Sequence, residues 1–184
     1  MNKLVCFDFD GTLCDTKDMV DGRIIWEDKN RRKWPYRGWW GRVESLDWET
    51  FQTKTIDWVY QNYLEDKKNS DFIILATGRL NSVPGMRDSV EKILNMNSLS
   101  FSQIEIDGEK SNGVFLNPGV DTFKFKTHLF EYLIDKLHIT DFTMYDDRSE
   151  HLSRFVDWAQ NQKIDIQIID VVNRTTQTFK NKKI

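Results

Sequence analysis

Four short apolar runs, most of them broken off at charged or turn-forming residues, constrain this chain more than any other feature. Leu4-Val5-Cys6-Phe7 stops at Asp8, Phe9, Asp10 and Gly11, and Asp71-Phe72-Ile73-Ile74-Leu75-Ala76 stops at Thr77-Gly78-Arg79. Asp141-Phe142-Thr143-Met144-Tyr145 ends in Asp146-Asp147, and residues 164–172 form the fourth run. Apolar, β-branched and aromatic runs of this length read as strands buried on both faces. Residues 101–106 are a weaker fifth candidate.

Helical spacing fills the gaps between them. Trp48, Phe51, Thr55, Trp58, Val59 and Tyr63 predict a helix over about 47–66, and Val90, Ile93 and Leu94 predict one over 86–96. Leu129, Tyr132, Leu133 and Leu137 do so for 125–138, and Leu152, Phe155, Val156 and Ala159 for 148–162. Strands alternating with amphipathic helices predict an α/β fold, a mostly parallel sheet with helices on both faces. Ligands of such sheets bind at the carboxyl ends of the strands, where Asp8, Asp10, Thr77, Arg79, Asp146 and Asp147 would converge.

A length of 184 residues suits a single domain, expected over 1–172, followed by a basic tail over 173–184 that carries Arg174, Lys180, Lys182 and Lys183. A net charge of -3 excludes polyanion binding by overall charge and requires a local patch for it. Two cysteines, Cys6 and Cys14, make no disulfide framework, and with only three histidines they make no zinc pattern. The N-terminal apolar stretch is too short for a signal peptide and no segment reaches membrane-spanning length, so a cytoplasmic protein without a membrane partner is expected.

Residues 15–46 break the alternation and read as a small cap inserted after the first strand. Between Lys29 and Arg42 lie six cations, Arg31 and Arg32 among them, with no acidic residue and with Trp34, Tyr36, Trp39 and Trp40 interleaved. Charges for phosphates and rings for bases are what single-stranded nucleic acid requires. The competing reading is that the rings pack the cap onto the body while the charges form a solvated rim.

Chemistry follows from the carboxylates. Two so close as Asp8 and Asp10 repel unless a cation lies beside them, and a hard, oxygen-seeking ion such as magnesium fits, with Asp146 or Asp147 adding oxygen from a neighbouring strand end. One carboxylate can then attack phosphorus while a second serves the leaving oxygen and activates water. Charge developing on phosphoryl oxygens calls for donors, for which Thr77, Arg79 and either Lys124 or Lys126 are candidates. Each piece alone has an ordinary structural explanation, as a turn, a loop or a helix start; their order, each at the end of an apolar run, does not.

In that order the motifs resemble those of the haloacid dehalogenase (HAD) superfamily. Asp8-Phe9-Asp10-Gly11-Thr12 is similar to its first motif, Thr77 in Ala76-Thr77-Gly78-Arg79 to the second, a lysine near the start of the 125–138 helix to the third, and Asp146-Asp147 to the fourth. The resemblance implies a HAD-like Rossmannoid fold with Asp8 as the residue that forms an aspartyl-phosphate and Asp10 as acid and base. It implies magnesium on Asp8, the main-chain carbonyl of Asp10 and one of Asp146 and Asp147. A finer likeness is to the HAD domains of Swiss Army knife RNA-repair proteins, and more loosely to the phosphatase domain of polynucleotide kinase-phosphatases. It is carried by Gly38-Trp39-Trp40, Thr77-Gly78-Arg79, Thr122-Phe123-Lys124-Phe125-Lys126 and the run from Tyr145 to His151. In those relatives the arginine after Thr/Ser-Gly binds substrate phosphate, which implies that role for Arg79. Either Lys124 or Lys126 fills the third motif, with Lys126 preferred because it directly precedes the apolar-periodic helix.

The function expected from all this is removal of a phosphate from a nucleic-acid end, with 3′-phosphatase as the sharpest version and Arg31, Arg32, Trp39, Trp40 and Lys124 as further substrate contacts. Alternatives are a small-molecule or nucleotide phosphatase and a noncatalytic nucleic-acid-binding module. An open basic groove above Asp8 would favour a polymer end, and a closed pocket a metabolite. With no Gly-x-x-x-x-Gly-Lys-Ser/Thr present, kinase or ligase steps would fall to separate partner proteins.

Overall fold

The computed structural model describes residues 2–181. Its strands are β1 (Asn2–Phe7), β2 (Phe72–Leu80), β3 (Ile104–Ile106), β4 (Glu109–Ser111), β5 (Val114–Asn117), β6 (Ile139–Asp146), β7 (Asp165–Asp170) and β8 (Thr175–Phe179). The helices are α1 (Met19–Asn30), the single turn α2 (Trp48–Phe51), α3 (Asp57–Asn69), α4 (Met86–Met96), α5 (Thr122–Lys136) and α6 (Ser149–Gln160). Six strands form one sheet in the order β5-β2-β1-β6-β7-β8, in which all pairings are parallel except that of β7 with β8. The mostly parallel sheet expected from the apolar runs is therefore present.

Alternation along the strands explains why helices cover both faces. Val5 and Phe7 of β1, with Ile73 and Leu75 of β2, point to the side where α3 and α4 bring Val59, Tyr63, Val90 and Ile93. Leu4 and Cys6, with Ile74 and Ala76, point to the other, where α5 and α6 bring Phe130, Leu133, Leu152 and Phe155. Every one of these side chains is almost wholly buried. At ~25 cal/mol per Å² of apolar surface removed from water, this double layer supplies the main drive for folding. It also fixes register, because a slip by one residue would exchange the two faces.

The chain order then places the site. From β1 it runs outward to β2 and β5, then crosses to the opposite side of β1 for β6 and β7, so the direction of winding reverses between β1 and β6. A crevice opens at the carboxyl ends of strands at such a reversal. Phe7 lies level with Leu75 and Tyr145, and the Asp8 amide donates to the Tyr145 carbonyl at 3.0 Å. The next residues of both strands are thereby brought to the same edge.

Several sequence expectations need correction. The helix expected over 47–66 is two pieces, because Gln52 takes a left-handed conformation (φ 44°) and ends α2, after which residues 52–56 lead out of the cap. The segment 101–106 contributes only β3, which pairs with β4 in a separate hairpin, while the unanticipated β5 takes the edge of the sheet beside β2. Residues 175–179, expected in a tail, form the antiparallel edge strand β8. Arg174 lies over the Trp58 ring and Lys180 pairs with Asp165 at 2.8 Å; Lys182 and Lys183 lie outside the described residues. The cap contains a regular helix, α1, started by the Asp18 carboxylate accepting from the amides of Val20 and Asp21. Its neck is where Asp15 donates to Lys54 and Ile56 to Leu13, so the insertion closes at 54–56 rather than at 46.

Candidate active site

Beyond β1 the chain doubles back on itself, with Leu13 and Cys14 donating to the carbonyls of Asp8 and Phe9. Gly11 makes this turn possible at φ 65°, a region that side chains with a Cβ seldom adopt. A Cβ there would also stand 2.5 Å from Asp147 Oδ2. The glycine of the first motif thus lets the loop lie directly against a carboxylate of the fourth.

Beneath this loop lies a buried charge cluster. The Lys126 ammonium, from the second turn of α5, lies 2.6 Å from Asp146 Oδ2 and 3.0 Å from Asp8 Oδ1. Asp146 Oδ1 accepts from the Arg148 amide at 3.0 Å, so both its oxygens are engaged. Burial by itself would lower the Lys126 pKa, but the charges of Asp146 and Asp8 outweigh it and raise the pKa, so the ammonium stays charged. Burial likewise opposes ionisation of Asp146, and the Lys126 charge and hydrogen bond reverse that, holding it below the usual carboxylate range. Asp8 is pushed up by burial in spite of Lys126. Burial and the neighbouring Asp146 push Asp147 up to about 6.

Oxygens of Asp8, Asp146 and Asp147 lie within 4.8 Å of one another, and Asp8 Oδ1 is buried without an aligned hydrogen-bond donor. An all-oxygen set in which one buried carboxylate oxygen meets a charge but no aligned donor fits a hard divalent cation. With Asp146 committed to Lys126 and the Arg148 amide, Asp8 and Asp147 are the freer ligands.

Above the cluster is a cleft of about 670 Å³, lined by Asp8, Asp10, Gly78, Arg79, Asp147 and Arg148, with Trp40 and the residues that lead into α1 on the cap side. Arg79 is 2% exposed and heavily engaged. Its Nε and Nη2 hold the two oxygens of Asp10 at 2.9 and 2.7 Å, while Nη1 donates to the Trp40 carbonyl and to Ser45 Oγ, both at 2.7 Å. The arginine ties Asp10 to the cap and leaves one of its five N–H donors over. Thr77 is fully buried beneath Gly78, its Oγ1 accepting from the Arg79 amide.

The structure brings Asp8, Asp10, Arg79, Lys126, Asp146 and Asp147 together and leaves other expected residues apart. Asp10 turns its carboxylate to Arg79 rather than to the other three aspartates. Lys124 is exposed on α5, where its amide donates to Asp121 at the helix start and its carbonyl accepts from Thr127 Oγ1. Lys126, one half-turn of helix further round, is the one that lies beside Asp8 and Asp146. Trp39 is buried, donating from Nε1 to the Lys17 carbonyl and packing on Trp34 and Phe51, so its ring is no stacking platform. Arg31 pairs with Asp28 and Arg32 lies over Trp26; neither lines the cleft. Trp40, 47% exposed, does.

Nor is the cleft the basic groove expected for a polymer end. Seven acidic residues line it against three basic ones, Lys17, Arg79 and Arg148. Arg148 stands in the run from Tyr145 to His151, where the carboxylates alone carry a sequence signal.

Carboxylates at the ends of adjacent parallel strands, joined by a buried lysine and roofed by an insertion after the first strand, define a domain of the HAD class. The chain belongs to the family described as HAD domain family 1 in Swiss Army Knife RNA repair proteins, whose model matches residues 21–182. The match begins after β1, so the first motif is seen in this chain's own geometry. No curated protein matches the chain. Among the described residues no helix is long and apolar enough to cross a membrane.

Proposed function

We propose that the protein is a phosphomonoester hydrolase in which Asp8 is the nucleophile. The observation that carries this reading is the Asp8 carboxylate at the floor of the cleft, 3.0 Å from the Lys126 ammonium and beside Asp147. An Asp8 oxygen attacks phosphorus and the bond to the ester oxygen breaks, leaving an aspartyl-phosphate. Asp10, whose two oxygens both accept from Arg79, takes up a proton from solvent as the ester binds and passes it to the leaving oxygen. It then takes one from the water that attacks phosphorus and frees Asp8. Lys126 and the Thr77 hydroxyl support the charge of this region from below. Magnesium is the cation that suits Asp8, Asp147 and the Asp10 carbonyl, and when bound it would neutralise phosphoryl oxygens.

For the substrate, the family's description, RNA repair, supports a phosphorylated nucleic-acid end, for which we take a 3′-phosphate as the leading choice, and half-exposed Trp40 at the cleft wall offers a base one ring to stack on. A small phosphate ester is a second reading, favoured by Asp15, Asp18, Asp21 and Glu150 around the cleft, which repel a chain of phosphodiesters. Any kinase or ligase partner would act separately. A phosphate-release panel of 3′- and 5′-phosphorylated oligonucleotides, nucleotides, sugar phosphates and p-nitrophenyl phosphate decides between them. The expected result is release that requires magnesium, strongest with the 3′-phosphorylated oligonucleotide, and abolished in Asp8→Asn with the fold intact. Turnover by a folded Asp8→Asn, or full activity in chelator, would remove the mechanism.

A further inference from the structure

Arg148 is the cation in the cleft that has nothing to do. Its guanidinium lines the cavity and makes no hydrogen bond or ion pair among the described residues, and its Nε is buried without an acceptor. By contrast Arg79 spends four donors on Asp10, Trp40 and Ser45. A Cβ built on Gly78 would lie 3.6 Å from Arg148 Nη2 and 3.2 Å from Thr122 Oγ1, so the guanidinium stands over the glycine of the second motif, beside the start of α5. Its charge is close enough to be felt by Asp8, Asp146 and Asp147. The backbone of Arg148 is fixed separately, through its amide on Asp146 Oδ1. A buried guanidinium Nε without an acceptor costs free energy in the empty protein, and an anion in the cleft removes that cost.

We propose that Arg148, rather than Arg79, is the arginine that takes the substrate's phosphate, while Arg79 is a positioning residue that joins Asp10 to the cap. This rests on the phosphomonoesterase reading above. The phosphate of the ester enters between Asp8 and Arg148, and its non-bridging oxygens complete the guanidinium's hydrogen bonding. A dianionic monoester fills this arrangement better than a diester, whose single negative charge and second ester group leave donors unmatched. An unpaired arginine in a cleft where acidic residues outnumber basic ones thereby selects for a terminal phosphate.

The test uses Arg148→Gln, Arg148→Lys and Arg79→Lys. Binding of inorganic phosphate to the magnesium-loaded protein is measured by calorimetry, and KM and kcat with p-nitrophenyl phosphate. Loss of a charge-assisted pair predicts that Arg148→Gln weakens phosphate binding about ten- to hundredfold and raises KM in parallel, with an unchanged unfolding transition. Arg148→Lys should recover part of the affinity. Arg79→Lys should lower kcat while phosphate affinity stays near that of wild type. Wild-type phosphate affinity in Arg148→Gln overturns the proposal, as does a loss in Arg79→Lys as large as in Arg148→Gln. So does early melting of Arg148→Gln, which would show that the side chain supports the fold. If wild type hydrolyses no monoester, the enzymatic reading fails, and the phosphate titration still decides the role of Arg148.

Discussion

The sheet end and the cap use the same kinds of residue to opposite purpose. At the sheet end a single lysine, Lys126, is wholly buried between two carboxylates, and parallel strands level with one another hold it there. In the cap, cations stay at the surface: Arg31 on Asp28, Lys33 on Glu27, Arg32 over Trp26 and Arg42 over Tyr36. Of the rings between them, Trp34 and Trp39 pack together at 4.8 Å, with Trp34 at 5.0 Å from Trp26, and form a small core that steadies α1, while Trp40 stays half-exposed. A charge becomes chemically useful where a rigid frame keeps it from water; a charge that can reach water solvates the surface.

The largest effect expected from this contrast lies at Lys126. Replacing it by Met leaves Asp8 and Asp146 buried and facing each other without a cation, which costs about 3–5 kcal/mol and ends phosphate release. Lys124→Ala, two residues earlier on the exposed side of the same helix, should stay within about 0.5 kcal/mol of wild type. Denaturant unfolding of the two variants measures the difference. Equal stabilities would mean that the buried cluster does not hold the strand ends together.

A middle effect is expected at Trp39. Its indole lies on Gly22 so closely that a Cβ at that glycine has no room, and its Nε1 anchors Lys17. Trp39→Ala should cost about 3 kcal/mol, the low end for burying a large aromatic, because the exposed loop over 31–38 can relax into the space. Trp40→Ala, which removes a half-exposed ring, should cost less stability and more activity, since that ring flanks Arg79 at 5.1 Å. Melting curves and turnover of both variants would show a reversed order if Trp39 served as the platform and Trp40 as the packing residue.

The same contrast explains what could be read from the sequence. Asp8, Thr77 and Asp146 were legible because each ends an apolar run, and strand periodicity fixes where such an end lies. α4 matches its expected span because its apolar residues share one buried face. α1 was not legible: Gly22 and Trp26 are its buried residues, while Val20 and Ile24 stay exposed, so apolar spacing does not mark the inner face. β5 and β8 depend on neighbours, a four-residue edge strand on β2 and the polar Thr175–Phe179 on β7. Sequence spacing also does not show which cations are already paired, so it offers Arg79 as a donor to phosphate and gives Arg148 no role.

The smallest effect is expected from Arg31→Ala with Arg32→Ala, and it bears most directly on whether the cap guides a nucleic acid. Both side chains are exposed and neither reaches the cleft, so the double variant should keep its stability within about 0.5 kcal/mol and its turnover of p-nitrophenyl phosphate. If a single strand crossed both arginines, each lost phosphate contact would make the slope of log affinity against log salt shallower by about 0.7, or about 1.4 for the pair. The arrangement predicts a smaller change, because Arg31 already has Asp28 and Arg32 lies over Trp26, outside the lining of the cleft. Binding of a 3′-phosphorylated oligonucleotide across a salt series measures the slope. A change of the full size would put the strand's path over the cap surface and make its cations part of substrate binding. A negligible change would confine recognition to the phosphate and the base next to it, held between Arg148 and Trp40.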